Sequence, residues 1–122
     1  KWTTCRKMGE EVVDRVEQAQ EWSPRPSVTE GLRLHGAANE AELLPADDPR
    51  RGYGTAWQGI QELERENPVW AQPVNPSLPL RRSEVIWQAR SEMARSVEDV
   101  LARRTRSLVC DASASAAAAP EV

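Results

Sequence analysis

The sequence lacks phenylalanine, has one histidine and two cysteines, and carries no surplus of positive charge. Sixteen basic and nineteen acidic residues give a formal net charge of −3 over 122 residues. Nucleic-acid binding through counterion release needs a basic surplus, so this balance argues against a nucleic-acid partner. His35 has no Cys or acidic cluster at ligand spacing, which argues against a metal site. It would also have to serve alone in any Ser-His-Asp or Cys-His arrangement, so no such catalytic set is expected.

Long apolar runs are also missing, and no stretch approaches the roughly 20 residues that a membrane-spanning helix needs. Cys5 and Cys110 form no CxxC pair, which favours a reduced, cytosolic protein, although a bridge between the two stays open on sequence grounds. The length predicts a single domain with one modest core. The chain begins at Lys1 without an initiator methionine, so we expect a fragment of a longer protein.

What the sequence does contain is helical periodicity, strongest in residues 82–106. Apolar residues recur there at spacings that keep them on one side of a helix. Ser83 is a candidate N-cap, and Ser96 with the acids that follow it is a second helix-start signal. The pattern therefore predicts one long helix or, with more support, two helices with a break near Arg95–Ser96.

The remaining periodicity completes an all-α fold, a compact bundle of about five helices. Outside residues 82–106, the predicted helices are 1–20, a short one at 38–44, 52–66, and 112–119 with Asp111 as its cap. Two proline-containing connectors separate them, 21–31 and 69–80, and we expect the second to run over the surface. The expected core comprises ten residues: Val12, Val16, Leu34, Trp57, Ile60, Leu63, Ile86, Met93, Val97 and Leu101. The tryptophans are expected to fill gaps between helices, with hydrogen-bond partners for their N–H groups.

Two further signals are weak. Gly52-Tyr53-Gly54 has part of a phosphate-binding glycine pattern, but Trp57 stands at the position of the last glycine and no strand precedes it, so a flexible helix start is favoured. The basic run from Arg103 to Arg106 suits a helix C-terminus and exposed ion pairs, and its guanidinium groups also suit docking against a carboxylate-bearing partner.

Two strings resemble a known enzyme family. The first comprises Glu84-Val85-x-Trp87, Arg90-x-Glu92-Met93-Ala94 and Val97-Glu98-Asp99-Val100-Leu101-x-Arg103-Arg104-Thr105-Arg106, and it resembles the C-terminal domain of FAD-dependent glycerol-3-phosphate dehydrogenases. The second comprises Lys1-Trp2-Thr3-Thr4-Cys5-Arg6-x-Met8-Gly9-Glu10, and it resembles the box that closes the flavin domain of that family. In this box Cys5 replaces the usual tyrosine and Gly9 the usual alanine.

The resemblance implies that the parent protein oxidises sn-glycerol 3-phosphate to dihydroxyacetone phosphate with FAD and passes electrons to quinone. It implies that residues 1–20 are the end of the FAD-binding domain, 21–31 a linker, and 32–122 a helical C-terminal domain that is truncated at its end. Such a piece would be inactive alone, would dock on its own flavin domain, and would belong to a cytoplasmic enzyme that can associate peripherally with a membrane.

The resemblance also assigns three site residues, and none of them is catalytic. Lys1 would lie beside the substrate phosphate, and Thr3 and Thr4 would be donors on the flavin side. A helix N-terminus aimed at the flavin would stabilise the negative charge of its reduced form. FAD is not expected to bind to this piece alone. The alternative is a stand-alone helical protein-interaction module, against which the box at residues 1–10 weighs.

Overall fold

A computed structural model describes residues 3–122 of the chain, which divides into two compact units, Lys1–Leu34 and His35–Val122. The described residues form helices and turns without a β-strand, and the pairing of Pro73 with Arg81 is an isolated bridge. The prediction of an all-α fold is therefore confirmed.

The first unit consists of one long helix and an extended tail. Helix α1 spans Cys5–Ala19, and no helix occurs in the described residues between it and Asn39. The prolines Pro24 and Pro26 explain the extended tail, because they remove backbone donors and restrict the residues before them. The predicted apolar stripe of α1 is present but exposed, so Val12 (61%) and Val16 (47%) are not core residues.

The second unit contains four α-helices joined by tighter turns. They are α2 (Trp57–Glu66), α3 (Arg82–Ser91), α4 (Ser107–Cys110) and α5 (Ala112–Ala118). Short 3₁₀ segments lie at Glu40–Glu42, Pro49–Ala56, Pro68–Ala71 and Ala119–Glu121, and a π-helix spans Asp99–Arg104. With α1, the described residues hold five α-helices, the number that the sequence predicts. The predicted helix at 38–44 forms only the 3₁₀ turn Glu40–Glu42, and α4 was not predicted.

The connector between α2 and α3 contributes to the core, contrary to the prediction that it runs over the surface. Val74, Leu78 and Leu80 are at most 6% exposed. The backbone N–H of Val74 donates to the carbonyl of Leu80 at 2.9 Å. This bond and the Pro73–Arg81 bridge close the connector into a loop whose apolar side chains turn inward. They pack with Ala114 and Ala118 of α5.

The predicted core is half correct. Trp57, Ile60, Leu63 and Leu101 are buried, and Ile86 is half-buried. The prediction is wrong for five residues that are exposed: Val12, Val16, Leu34, Met93 and Val97. For Met93 and Val97 the cause is the break after α3, since spacings counted across a break do not define one helix face.

Helix α3 begins two residues earlier than the predicted cap at Ser83 implies. Its N-cap is Arg81, whose N–H donates to the Glu84 carboxylate at 2.8 Å. Ser83, the predicted cap, instead lies inside the helix, fully buried, where its hydroxyl donates to Glu64 at 2.9 Å. The buried face of α3 is consequently polar, comprising Ser83, Glu84 and Gln88 beside Val85.

The predicted helix break is confirmed. Helix α3 ends at Ser91, and Met93 adopts a left-handed conformation with φ of 59°. The Asp99 carboxylate accepts from the N–H groups of Arg95 (2.9 Å) and Ser96 (3.1 Å), and the Ser96 hydroxyl accepts from the N–H of Asp99. This reciprocal capping starts the second helix, which is a π-helix over most of its length.

The last predicted helix is also confirmed. Asp111 is the N-cap of α5, and its carboxylate accepts from the N–H of Ala114 at 2.8 Å. No helix among the described residues has both the length and the apolar character needed to cross a bilayer.

Candidate functional site

The predicted site at the start of α1 is described in part. Lys1 lies outside the described residues. Thr4 occupies the N-cap position of α1, but its side chain makes no capping hydrogen bond. Its hydroxyl lies 3.8 Å from the sulfur of Met8 instead. The cofactor-binding roles of Thr3 and Thr4 stay predictions.

Three residues of the same box form a charge cluster on α1. Arg6 and Lys7 both pair with the Glu10 carboxylate, with the Lys7 contact at 2.6 Å. These contacts lower the pKa of Glu10 below its usual value, first through the Lys7 hydrogen bond. The described part of the box thus forms the start of α1 and bears a charge cluster within the first two turns of that helix.

Helix α1 also bears a groove, and Arg6 and Glu10 of the charge cluster are among its lining residues. A cavity of about 640 Å³ lies between α1 and the extended tail, with Val13 and Val28 among its lining residues. The tail is fixed by Glu17, a buried carboxylate that accepts from the backbone N–H of Arg25 at 3.1 Å and from its guanidinium at 2.9 Å. These bonds hold the pKa of Glu17 below its usual value. The groove and the exposed stripe give α1 an uncovered apolar surface.

The second unit contains a polar cavity that the sequence analysis missed. It has a volume of about 310 Å³ and lies where α3, the 3₁₀ segment Pro49–Ala56 and the end of the π-helix meet. Its polar lining residues are Tyr53, Glu84, Gln88, Glu92, Arg104, Thr105 and Ser107. The spacing of Glu84 and Gln88 placed them on one helix face, which was the available sequence signal.

Glu84 is the buried acid of this cavity, at 5% exposure. Burial raises the pKa of its carboxyl group, while the hydrogen bonds from the Arg81 N–H and the Tyr53 hydroxyl act in the opposite direction. Burial also raises the pKa of Tyr53, chiefly by disfavouring its phenolate form. Tyr53 is thus a neutral hydrogen-bond donor between Glu84 and Gln88.

Gln88 completes this polar cluster. It is 1% exposed, and its Nε2 group donates to the Tyr53 hydroxyl at 2.9 Å. Its amide oxygen has no hydrogen-bond partner among the described residues. Buried polar atoms are rarely left unpaired, so this oxygen needs a hydrogen-bond donor that the described residues do not supply.

The end of the π-helix forms the rim of the cavity. Arg104 donates from Nε (3.2 Å) and Nη2 (2.6 Å) to the backbone carbonyl of Glu92, and the Thr105 hydroxyl donates to the carbonyl of Val100 at 2.9 Å. The guanidinium of Arg104 thereby joins the end of this helix to the end of α3. Arg103 pairs with Asp99 and Glu98 on the exposed side, as expected for a surface ion pair.

Gly54 and His35, which the sequence analysis tested for a phosphate site and a metal site, make packing contacts in the structure. Gly54 has φ of 55° and lies against Gly36, and the N–H of Thr55 donates to the Gly36 carbonyl at 3.2 Å. The glycines of the Gly52-Tyr53-Gly54 string thus serve a close backbone contact. His35 stacks on Trp87, with ring centroids 6.3 Å apart. Residues 3–122 contain no group of three or more His, Cys, Asp or Glu side chains able to hold a metal ion.

Comparison with known families identifies the second unit. A family model described as the C-terminal domain of alpha-glycerophosphate oxidase matches residues 27–122. The chain belongs to this family. Comparisons with curated proteins and with solved structures gave no match.

Membership of the alpha-glycerophosphate oxidase C-terminal family confirms the resemblance seen in the sequence. It makes the parent an FAD-dependent oxidoreductase of the glycerol-3-phosphate oxidase type. The matched range includes all of the second unit, and α1 lies before it. The box at residues 1–10 therefore lies outside the matched range, and the predicted domain boundaries stay a prediction.

Proposed function

We propose that this chain is the helical C-terminal part of an FAD-dependent enzyme that oxidises sn-glycerol 3-phosphate to dihydroxyacetone phosphate. The observation that carries the proposal is the match of residues 27–122 to the C-terminal domain of alpha-glycerophosphate oxidase. In this proposal residues 1–20 end the FAD-binding domain, 21–31 form a linker and 32–122 form the accessory domain. Electrons pass to quinone, and the enzyme is cytoplasmic with peripheral attachment to the membrane.

The exposed surface of α1 supports its assignment to a larger flavin domain. Met8, Val12, Val13 and Val16 are each about half exposed or more. A helix whose apolar stripe lacks a covering layer buries that stripe against another element in a folded domain. The proposed partner of this stripe is the parent's own flavin domain.

The start of α1 is chemically suited to the edge of a flavin, but the described chain is not sufficient to hold FAD. The Thr4 hydroxyl makes no capping bond, so it does not satisfy the N–H groups of the first turn. These N–H groups and the helix dipole would favour negative charge on a reduced flavin placed there. Bound FAD supplies hydride acceptance. The sequence has no G-x-G-x-x-G motif for the dinucleotide, so FAD binding depends on the parent.

In the proposed roles, Lys1 binds the substrate phosphate, and Thr3 and Thr4 bind the flavin. An ammonium group is a compact point charge suited to a phosphate oxygen. The helix N-terminus would orient the cofactor edge beside it. The second unit contributes no residue to these roles in this proposal. The isolated piece is expected to be inactive because it lacks the dinucleotide motif that would hold FAD.

The test is glycerol 3-phosphate oxidation by three proteins: this chain alone, the full-length parent, and a parent truncated before Thr29. We expect activity with a dye acceptor in the full-length parent and none in the chain alone. Failure of the full-length parent to oxidise glycerol 3-phosphate would refute the proposed substrate. Full activity after truncation would show that the helical domain is dispensable for the chemistry.

The electron acceptor needs a separate measurement. The family description names an oxidase, whereas the proposal assigns quinone. The same full-length protein would be assayed with a soluble quinone and, in a separate reaction without quinone, for oxygen uptake. Faster turnover with quinone supports the proposal, and turnover driven by oxygen alone contradicts it.

The alternative function is a stand-alone helical interaction module. The groove beside α1 is the observation in its favour, since an apolar surface of this kind suits a partner helix. It predicts that the chain binds a partner protein with no requirement for a flavin domain. Co-purification of the chain with a separately expressed flavin domain of the parent would favour the enzyme proposal instead.

A further inference from the structure

The cavity of the second unit contains a buried acceptor without a donor. Gln88 lines the cavity at 1% exposure, and its amide oxygen has no hydrogen-bond partner among the described residues. A carbonyl oxygen in such a place requires a donor from a water molecule or a ligand.

The neighbouring hydrogen bonds fix the orientation of this amide. The Tyr53 hydroxyl has one proton, which it donates to the Glu84 carboxylate. The same hydroxyl therefore accepts from Nε2 of Gln88, at 2.9 Å. Exchanging the amide oxygen and nitrogen of Gln88 would remove that donor, so the unpaired atom is the oxygen.

The rest of the lining has a surplus of negative charge. Glu84 and Glu92 contribute two carboxyl groups against the one guanidinium of Arg104, which directs two of its five N–H groups to a backbone carbonyl. The Thr105 hydroxyl donates to the carbonyl of Val100. A ligand complementary to this lining carries several N–H donors and a positive charge.

We propose that the cavity binds a small primary ammonium compound, whose N–H groups donate to the Gln88 amide oxygen and to the Glu84 carboxylate. A volume of about 310 Å³ admits roughly ten non-hydrogen atoms at the ~30 Å³ that one water molecule occupies in the liquid. Linear alkylammonium ions fall within this size. A tetraalkylammonium ion has the charge but no N–H group, and an alcohol has a donor but no charge.

The backbone around the cavity is consistent with a shaped site. The π-helix Asp99–Arg104 reaches the rim, and π-helical turns occur frequently at functional sites. Met93 and Arg106, both non-glycine residues with φ near +60°, flank the segment that carries this rim. Such backbone strain persists only where the surrounding structure enforces it.

The test is an NMR titration of the ¹⁵N-labelled 122-residue chain. n-Propylammonium chloride is the ligand, and n-propanol and tetramethylammonium chloride are the controls at equal ionic strength. The readouts are the Gln88 side-chain amide and the Trp87 indole N–H, which donates to Glu92 at 3.2 Å. We expect saturable shifts of both signals with n-propylammonium and none with either control.

Matched variants locate the site. Glu84→Gln keeps the size of the side chain and removes its charge, and we expect at least about a tenfold loss of affinity, as for a charge-assisted hydrogen bond. Glu62→Gln, on the exposed side of α2, should bind as the unmodified chain does. Equal shifts with all three compounds, or none with n-propylammonium, would show that only water fills the cavity and would overturn the proposal. The comparison of compounds on the unmodified chain decides this even if Glu84→Gln fails to fold.

Discussion

Replacing Gly54 with alanine tests the backbone contact that positions Tyr53. Gly54 has φ of 55° and ψ of −132°, a conformation that side-chain-bearing residues rarely adopt. A Cβ atom built there would lie 1.8 Å from the carbonyl oxygen of Gly36, a backbone atom that has no rotamer to move away. We therefore expect Gly54→Ala to force the two segments apart.

The cost follows from two terms. Holding a non-glycine residue in this region costs about 1–3 kcal/mol. Separating the segments also removes the hydrogen bond from Thr55 to Gly36, now 3.2 Å long, which is worth about 1 kcal/mol. The sum is about 2–4 kcal/mol, a large fraction of the ~5–15 kcal/mol that stabilises a typical domain.

Urea unfolding followed by circular dichroism measures this change. We expect Gly54→Ala to lower the unfolding free energy by about 2–4 kcal/mol at an unchanged denaturant slope. Gly52→Ala is the matched control, because its Cβ would meet no atom within 4 Å, and it should stay within ~0.5 kcal/mol of the unmodified chain. Equal stability of the two variants would refute the proposed Gly36–Gly54 contact.

Three further predictions concern the second unit. Leu80→Ala should cost about 2–5 kcal/mol of unfolding free energy because Leu80 is 2% exposed. Leu108→Ala should cost much less, because Leu108 is 43% exposed. Equal costs would contradict the finding that the connector between α2 and α3 turns its apolar side chains inward. Asp99→Asn should lower the Tm more than Glu98→Gln, because Asp99 caps the π-helix. The hydrogen bond from the Arg95 backbone N–H, first among the contacts of Asp99, lowers the pKa of its carboxyl group to about 2. The difference in Tm between the two variants should therefore narrow as the pH falls from 3.8 towards 2. Burial raises the pKa of Glu84 above 4.5, so its charged form is disfavoured in the folded state. The stability of the unmodified chain relative to Glu84→Gln should therefore fall as the pH rises through the folded-state pKa. A difference in urea midpoints that does not change with pH would contradict this prediction.

Local signals in the sequence predicted local structure well. Asp111 caps α5 as predicted, and Ser96 with Asp99 marks the start of the second helix where the sequence placed a start signal, because such signals depend on residues within one turn. The extended tail after α1 was equally predictable from Pro24 and Pro26, which prevent helix formation without reference to any distant residue.

Features that depend on distant residues were not predictable in the same way. The prolines of residues 69–80 indicated a surface connector, but the pairing of Pro73 with Arg81 folds it inward. Serine is a favoured cap residue, yet Ser83 is buried and its hydroxyl donates to Glu64, nineteen residues earlier in the chain. In both cases tertiary contacts decided the outcome.

The polar cavity was missed for a related reason. Glu84 and Gln88 are charged or polar residues on a helix, and such residues usually face solvent. Their burial depends on Tyr53, which hydrogen-bonds to both from a 3₁₀ segment more than thirty residues earlier in the chain. The spacing of four between Glu84 and Gln88 showed a shared face but did not show that the face was buried.

The most direct test of the proposed enzyme is the KM for glycerol 3-phosphate of the FAD-loaded full-length parent carrying Lys1→Ala. A lost ammonium–phosphate hydrogen bond of about 1.5–3 kcal/mol predicts a KM roughly ten- to a hundredfold higher. Lys7→Ala is the control, since Lys7 pairs with Glu10 on α1 at 2.6 Å, and it should leave KM unchanged. A KM unaltered by Lys1→Ala, or altered equally by both substitutions, would contradict the placement of the box beside the substrate.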